Sequence, residues 1–101
     1  MYLYLTTRGR RSGLPREIGI WFTEHEGRFY VIAEHRERAQ WVRNIEADPR
    51  VRVRVGRRVF DASARPLSDE HDPDLVRTIK GLSDAKYGWS DGLVVEISPT
   101  T

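Results

Sequence analysis

The chain contains no cysteine among its 101 residues, which excludes disulfide staples, a thiolate nucleophile and cysteine-ligated zinc or iron–sulfur centres. It also lacks any apolar run near the ~20 residues that cross a bilayer, and no basic stretch followed by a long apolar one opens the N-terminus. The expectation is a cytoplasmic protein without a membrane span. Neither Gly-x-Gly-x-x-Gly nor a Gly-Lys-Ser/Thr loop occurs, so the usual dinucleotide and phosphate-loop sites are absent. His25, His35 and His71 show no i,i+4 pairing, and no metal site is expected. There is little excess of either charge: 17 Lys and Arg face 15 Asp and Glu, a net of +2. That balance is unlike a typical nucleic-acid binder, and no nucleic-acid partner is expected.

What is present reads as one domain over residues 1–101, without repeat, low-complexity tract or linker. A chain this short buries a modest core, which makes self-association attractive. Tyr2 to Thr7 alternates as a strand, and Glu17 to Thr23 is apolar and β-prone. Glu24-His25-Glu26-Gly27 supplies a turn, and Arg28 to Ala33 returns as a third strand. Glu37 to Asp48 carries Ala39, Val42 and Ile45 at helical spacing with Trp41 beside them, and Pro49 stops the helix. Val51-Arg52-Val53-Arg54-Val55 is strictly alternating, hence a strand with one buried valine face and one solvated arginine face. Val59 to Ala64 follows as a fifth strand. Asp72-Pro73 then supplies an N-cap and an N1 proline for a second helix, with Leu75, Ile79 and Leu82 as its stripe, fading near Gly88. Gly92 to Ser98 closes the set as a buried strand. This order, about six strands and two helices with hairpin-length loops, predicts a mainly β (α+β) fold, a small antiparallel barrel with helices at its openings.

Between the first two strands lies Leu5-Thr6-Thr7-Arg8-Gly9-Arg10-Arg11-Ser12-Gly13-Leu14-Pro15-Arg16, which gathers four arginines around two glycines. Glycine permits positive φ, so backbone N–H groups can converge on an anion, and guanidinium groups offer bidentate contacts to phosphate or carboxylate. The same residues also suit a solvated hairpin tip whose arginines keep the protein soluble.

Two stretches carry a family resemblance. Thr6-Thr7-Arg8-Gly9-Arg10-Arg11-Ser12-Gly13-Leu14-Pro15-Arg16 and Gln40-Trp41-Val42-Arg43-Asn44-Ile45-Glu46-Ala47-Asp48-Pro49-Arg50-Val51 resemble the signatures of the deazaflavin-dependent nitroreductase (nitroreductase/quinone reductase) family, of the flavin-reductase-like split β-barrel class. The likeness runs from about Leu3 to Pro99. It implies an FMN-binding-like split barrel, a homodimer, that transfers a hydride from reduced coenzyme F420, a deazaflavin, to a quinone or nitro compound. FMN is the alternative cofactor, and a non-catalytic small-ligand-binding barrel is the alternative function. Carried over residue by residue, Arg10, Arg11, Ser12 and Arg16 would hold the cofactor's phosphate and acidic tail, with Thr7 and Gly13 shaping the turn. Trp41 and Asn44 would border the cofactor by packing and hydrogen bonding. Tyr87, in Lys86-Tyr87-Gly88-Trp89, stands nearest to the family's substrate-side tyrosines; its hydroxyl would donate to a reduced quinone or nitro oxygen, or Tyr87 and Trp89 would simply be a helix C-terminus packing over the barrel. Where relatives often carry Ser-Lys-Gly-Gly after the third strand, this chain has Glu34-His35-Arg36-Glu37, so His35 or Arg36 would supply the lysine's charge.

Overall fold

The computed structural model of the chain describes residues 1–100. Seven strands form one antiparallel sheet: β1 (Leu3–Arg8), β2 (Pro15–Ile20), β3 (Thr23–His25), β4 (Arg28–Ala33), β5 (Arg50–Val55), β6 (Arg58–Pro66) and β7 (Leu93–Pro99). Their spatial order is β2-β1-β5-β6-β7-β4-β3. The strands at the two ends of that order, β2 and β3, are consecutive in the chain and separated only by Trp21 and Phe22. Extended chain advances at most ~3.6 Å per residue, so the sheet must curl until its edges nearly meet. The result is the expected split barrel, with its split along the unpaired edge of β2.

Alternation decides which face enters the barrel. Leu3, Leu5 and Thr7 of β1 are buried, and they pair with Ile20, Ile18 and Arg16 of β2. On the other side Leu3 and Leu5 pair with Val55 and Val53 of β5, while Arg52 and Arg54 face outward, Arg52 toward Asp61 and Arg54 over the Tyr4 ring. A one-residue slip would exchange valines for arginines in the core, losing about 2 kcal/mol per valine before any charge is desolvated. Phe22, Phe29, Val31, Val95 and Ile97 complete the interior. Helix α1 (Gln40–Ala47) adds Ile45 to this core. Helix α2 (Pro73–Tyr87) lies on the outside, where Val76 and Ile79 cover Tyr30, Ile32, Leu67 and Val94.

Four local features differ from the sequence expectation. The strand expected over 17–23 breaks at Trp21-Phe22, because there the chain crosses from one sheet edge to the other. The helix expected from Glu37 begins only at Gln40, after a 3-10 turn at Arg36–Arg38 and an extended Ala39. Arg36 holds φ of 54°, a left-handed conformation that cannot open an α-helix. Asp72 occupies the N-cap position of α2 without a capping bond; its carboxylate accepts instead from Arg65 and the Ser68 N–H. On α2 it is Ser83 that turns inward, donating to the Trp89 carbonyl at 2.6 Å, while Leu82 stays 39% exposed.

Candidate functional site: an arginine turn and an aromatic cleft

The β1–β2 turn is closed by its own backbone. The Gly9 N–H donates to the Leu14 carbonyl and the Gly13 N–H to the Gly9 carbonyl, both at 2.8 Å, and the Leu14 N–H donates to Ser12 Oγ at 3.1 Å. Gly13 takes φ of 73°, as expected. Gly9 serves another purpose: a Cβ there would lie 2.7 Å from Ser12 Oγ and 3.2 Å from the Leu14 carbonyl. These N–H groups therefore hold the loop together rather than converging on an external anion, because a tight turn uses its own carbonyls first.

Arg10 fastens the turn to α1. Its Nη1 donates to Asn44 Oδ1 at 3.0 Å, its Nη2 to Gln40 Oε1 at 2.8 Å, and its backbone N–H reaches Asn44 Oδ1 at 3.3 Å. Asn44 Nδ2 in turn donates to Thr7 Oγ1 at 3.1 Å, and Asn44 and Thr7 are only 4% and 1% exposed. Thr7, Arg10 and Asn44 thus form one interlock between β1, the turn and α1. Arg11 and Arg16 are exposed, and among the described residues neither forms an ion pair. Arg16 lies along the turn, its Nε 3.7 Å from where a Gly9 Cβ would sit.

Beside the split opens a cleft of about 660 Å³, walled by Ile18, Ile20, Trp21, Trp41, Tyr87 and Trp89, with the exposed Glu34 and His35 also lining it. Its size and aromatic lining suit a flat organic ligand. Trp21 and Tyr87 stack with centroids 4.6 Å apart and planes 6° from parallel. The Tyr87 hydroxyl donates to the Phe22 carbonyl at 2.9 Å and accepts from the Phe22 N–H at 3.3 Å, while Lys86 Nζ donates to the same carbonyl at 2.9 Å. Tyr30, also on the lining, donates to Glu96 Oε2 at 3.0 Å, and Glu96 is held by Arg65 at 3.1 Å. Burial first, then the hydrogen bond and negative charge of Glu96, push the Tyr30 phenol up to about 12, so it keeps its proton throughout the neutral range.

Strand β2 joins the two regions. Arg16, Ile18 and Ile20 fall on one face by alternation, the face whose β1 partners Thr7, Leu5 and Leu3 are buried. From Arg16 to Ile20 a strand advances ~13 Å. A ligand with an aromatic head in the cleft and an anionic tail at Arg16 would run along this strand. A second hollow of about 770 Å³ carries Arg8, Asp48, Arg50, Arg52 and Asp61. Asp48 pairs there with Arg50 at 2.9 Å and Arg52 with Asp61 at 3.2 Å, and the Arg50 hydrogen bonds hold Asp48 down near 2. Most of its charge is already satisfied. Among the described residues no three His, Asp or Glu side chains gather as a metal site.

The sequence profile of the F420H(2)-dependent quinone reductases matches residues 1–90, most of the chain. The chain belongs to that family. An F420H(2)-dependent quinone reductase of Mycobacterium tuberculosis is 28% identical over 78 residues, covering 74% of this chain and 52% of that protein. The chain therefore spans about half the length of the curated relatives it matches. Two solved structures show the same fold. An F420-H2 dependent reductase superposes with a TM-score of 0.66 at 24% identity, over 96% of this chain and 93% of the other. The heme storage protein HutZ from Vibrio cholerae gives 0.78 at 19% identity, over 99% and 82%. Such a spread of ligands on one barrel means that function must be argued from the site.

For this family member the expected site residues divide into three groups. Arg10, Ser12, Gly13, Thr7 and Asn44 build and anchor the turn, Arg11 and Arg16 present free cations, and Trp41 and Tyr87 line the cleft. Of the pair expected to supply charge after β4, His35 lines the cleft, whereas Arg36 pairs with Asp91 at 2.8 Å. Sequence reasoning missed Trp21, and it named Trp89 only beside Tyr87 in the stretch that ends α2, not as a wall of the cleft. Trp21 carried a readable signal: it is a large aromatic just past the end of β2, next to Ile18 and Ile20, whose spacing marks the face that meets the core. Trp89 follows the left-handed Gly88 that ends α2, and nothing local says which way the chain turns after such a cap.

Proposed function

We propose that this domain binds reduced coenzyme F420 and passes its hydride to a quinone or nitro compound. The carrying observation is strand β2, which aligns the free cation of Arg16 with the aromatic cleft on a single face. Arg11 and Arg16 bind the phosphate and acidic tail, since fixed guanidinium groups hold anions without exchanging protons. Arg10, Asn44 and Thr7 keep the turn in place for them. Trp41 packs against the ring system, and Ile18 and Ile20 exclude water from its apolar side. When bound, the deazaflavin supplies the hydride, which is why no nucleophile–base pair is needed in the protein. The outer sheet face, with Tyr2 and Val59 exposed, gives a second copy of the chain a surface to cover, and a cytoplasmic homodimer is part of the proposal.

The test is stopped-flow oxidation of reduced F420 by a naphthoquinone and by a nitroarene, with reduced FMN run in parallel. The protein should accelerate oxidation with F420 and give a saturating F420 titration. No acceleration with either cofactor, despite binding, would favour the barrel that only holds a small ligand.

A further inference from the structure

We infer that Trp21 is the surface on which the electron acceptor stacks, and that it selects flat, electron-poor aromatic rings. This rests on the oxidoreductase reading above and names the substrate class of the same cleft. Trp21 lines the cleft yet is 44% exposed. One indole face is covered by Tyr87 at 4.6 Å and 6°, and among the described residues no second ring stacks on the opposite face.

The platform is rigid. Three hydrogen bonds, two with the Tyr87 hydroxyl and one from Lys86 Nζ, meet on the backbone of Phe22, the residue next to Trp21. Lys86 also lies 4.4 Å over the Phe22 ring and 5.0 Å over the Tyr87 ring. A fixed, partly exposed aromatic face loses little conformational freedom when a ligand covers it. Indole is π-rich, and carbonyl or nitro substituents withdraw density from an acceptor ring. An offset stack between the two is therefore favoured electrostatically as well as by the apolar area covered. Tyr87 is in this arrangement a positioning residue, since its hydroxyl is engaged with the Phe22 backbone rather than directed to a substrate.

The experiment compares wild type, Trp21→Ala, Trp21→Phe and Tyr87→Phe in turnover with reduced F420. One acceptor is a naphthoquinone, the other a nitroalkane without a ring. F420 affinity is measured separately by fluorescence. Trp21→Ala should raise KM for the naphthoquinone about tenfold, with a smaller effect on kcat, and Trp21→Phe should raise it less. The nitroalkane KM should move less than the naphthoquinone KM, and F420 affinity should stay near the wild-type value. Tyr87→Phe should shift the naphthoquinone KM in the same direction as Trp21→Ala. If Trp21→Ala melts early, Trp21→Leu fills the space without a π face and takes its place. An unchanged naphthoquinone KM in a folded variant overturns the proposal. A wild type inactive with every acceptor brings down the oxidoreductase reading instead. Calorimetric titration of cofactor-free protein with the naphthoquinone then judges the stacking alone: binding weakened in Trp21→Ala supports it, and equal affinity or no wild-type binding overturns it.

Discussion

Replacing Asn44 with alanine separates a structural amide from a ligand-binding one. Asn44 is 4% exposed and receives Arg10 Nη1 at 3.0 Å and the Arg10 N–H at 3.3 Å, while its own amide donates to the buried Thr7 hydroxyl at 3.1 Å. The 3.3 Å contact is long and contributes little. The charged Arg10 Nη1 bond is worth about 1.5–3 kcal/mol and the Thr7 bond about 1 kcal/mol, and stranding the Thr7 hydroxyl adds about 1–2 kcal/mol, for a total of about 3.5–6 kcal/mol. Small domains unfold with only ~5–15 kcal/mol, and each kcal/mol moves Tm by ~4–8 °C in a chain of this length. Asn44→Ala should therefore melt at least about 10 °C early, with a lowered urea midpoint. Asn44→Asp should recover part of the loss near neutral pH, because a carboxylate still accepts from Arg10 and the Thr7 hydroxyl can turn its proton toward it. An Asn44→Ala protein that melts within about 2 °C of wild type, yet binds F420 poorly, would refute the interlock and make the amide a direct ligand contact.

The two free arginines should behave unlike Arg10. Arg11→Ala and Arg16→Ala should each weaken F420 binding by about 1.5–3 kcal/mol per charged hydrogen bond removed, at unchanged Tm, whereas Arg10→Ala should lower Tm as well; equal melting losses in all three would remove the distinction. The raised Tyr30 phenol makes stability alkali-sensitive. The folded state binds the proton more tightly than the unfolded chain does, so this contribution is whole below pH ~10 and is lost as pH climbs toward ~12, at up to about 1.4 kcal/mol for each pH step of one crossed. Urea melts across that window should show the loss in wild type and a smaller one in Tyr30→Phe; parallel slopes in the two proteins would remove Tyr30 as the cause. At Gly92 a Cβ would sit 2.5 Å from the Ala33 carbonyl oxygen. Gly92→Ala should cost about 1–3 kcal/mol by overpacking, and should disturb Glu34 and His35 in the cleft, readable as a weakened F420 titration; a normal Tm would show that β4 yields easily.

The barrel was legible because its signals are local. Val51 to Val55 can be placed one way only when valine and arginine alternate, and Gly13 with Pro15 announces the turn before β2. The break at Trp21-Phe22 was not legible, since both residues favour strands and only the closing of a seven-strand order forces the crossing. The same limit governs the arginines. Arg10 and Arg11 have identical chemistry and adjacent positions, and what separates them is Asn44, 34 residues after Arg10. On α2 the apolar spacing favoured Leu82 over Ser83, but the Trp89 carbonyl needs a donor where the chain turns back, and the hydroxyl supplies it.

Phe22 connects the fold to the site more directly than any residue expected from the sequence. Its side chain is in the barrel core, its backbone receives Tyr87 and Lys86, and its position lies where the chain leaves one sheet edge for the other. Closing the barrel, docking the end of α2 and aiming Trp21 into the cleft are therefore a single arrangement of contacts. A barrel that opened at this crossing would release Tyr87, and with it the face on which an acceptor could stack. Loosening of the split and loss of acceptor binding should accordingly appear together, before the β1–β5–β6 wall, which is hydrogen-bonded on both sides of β5, gives way.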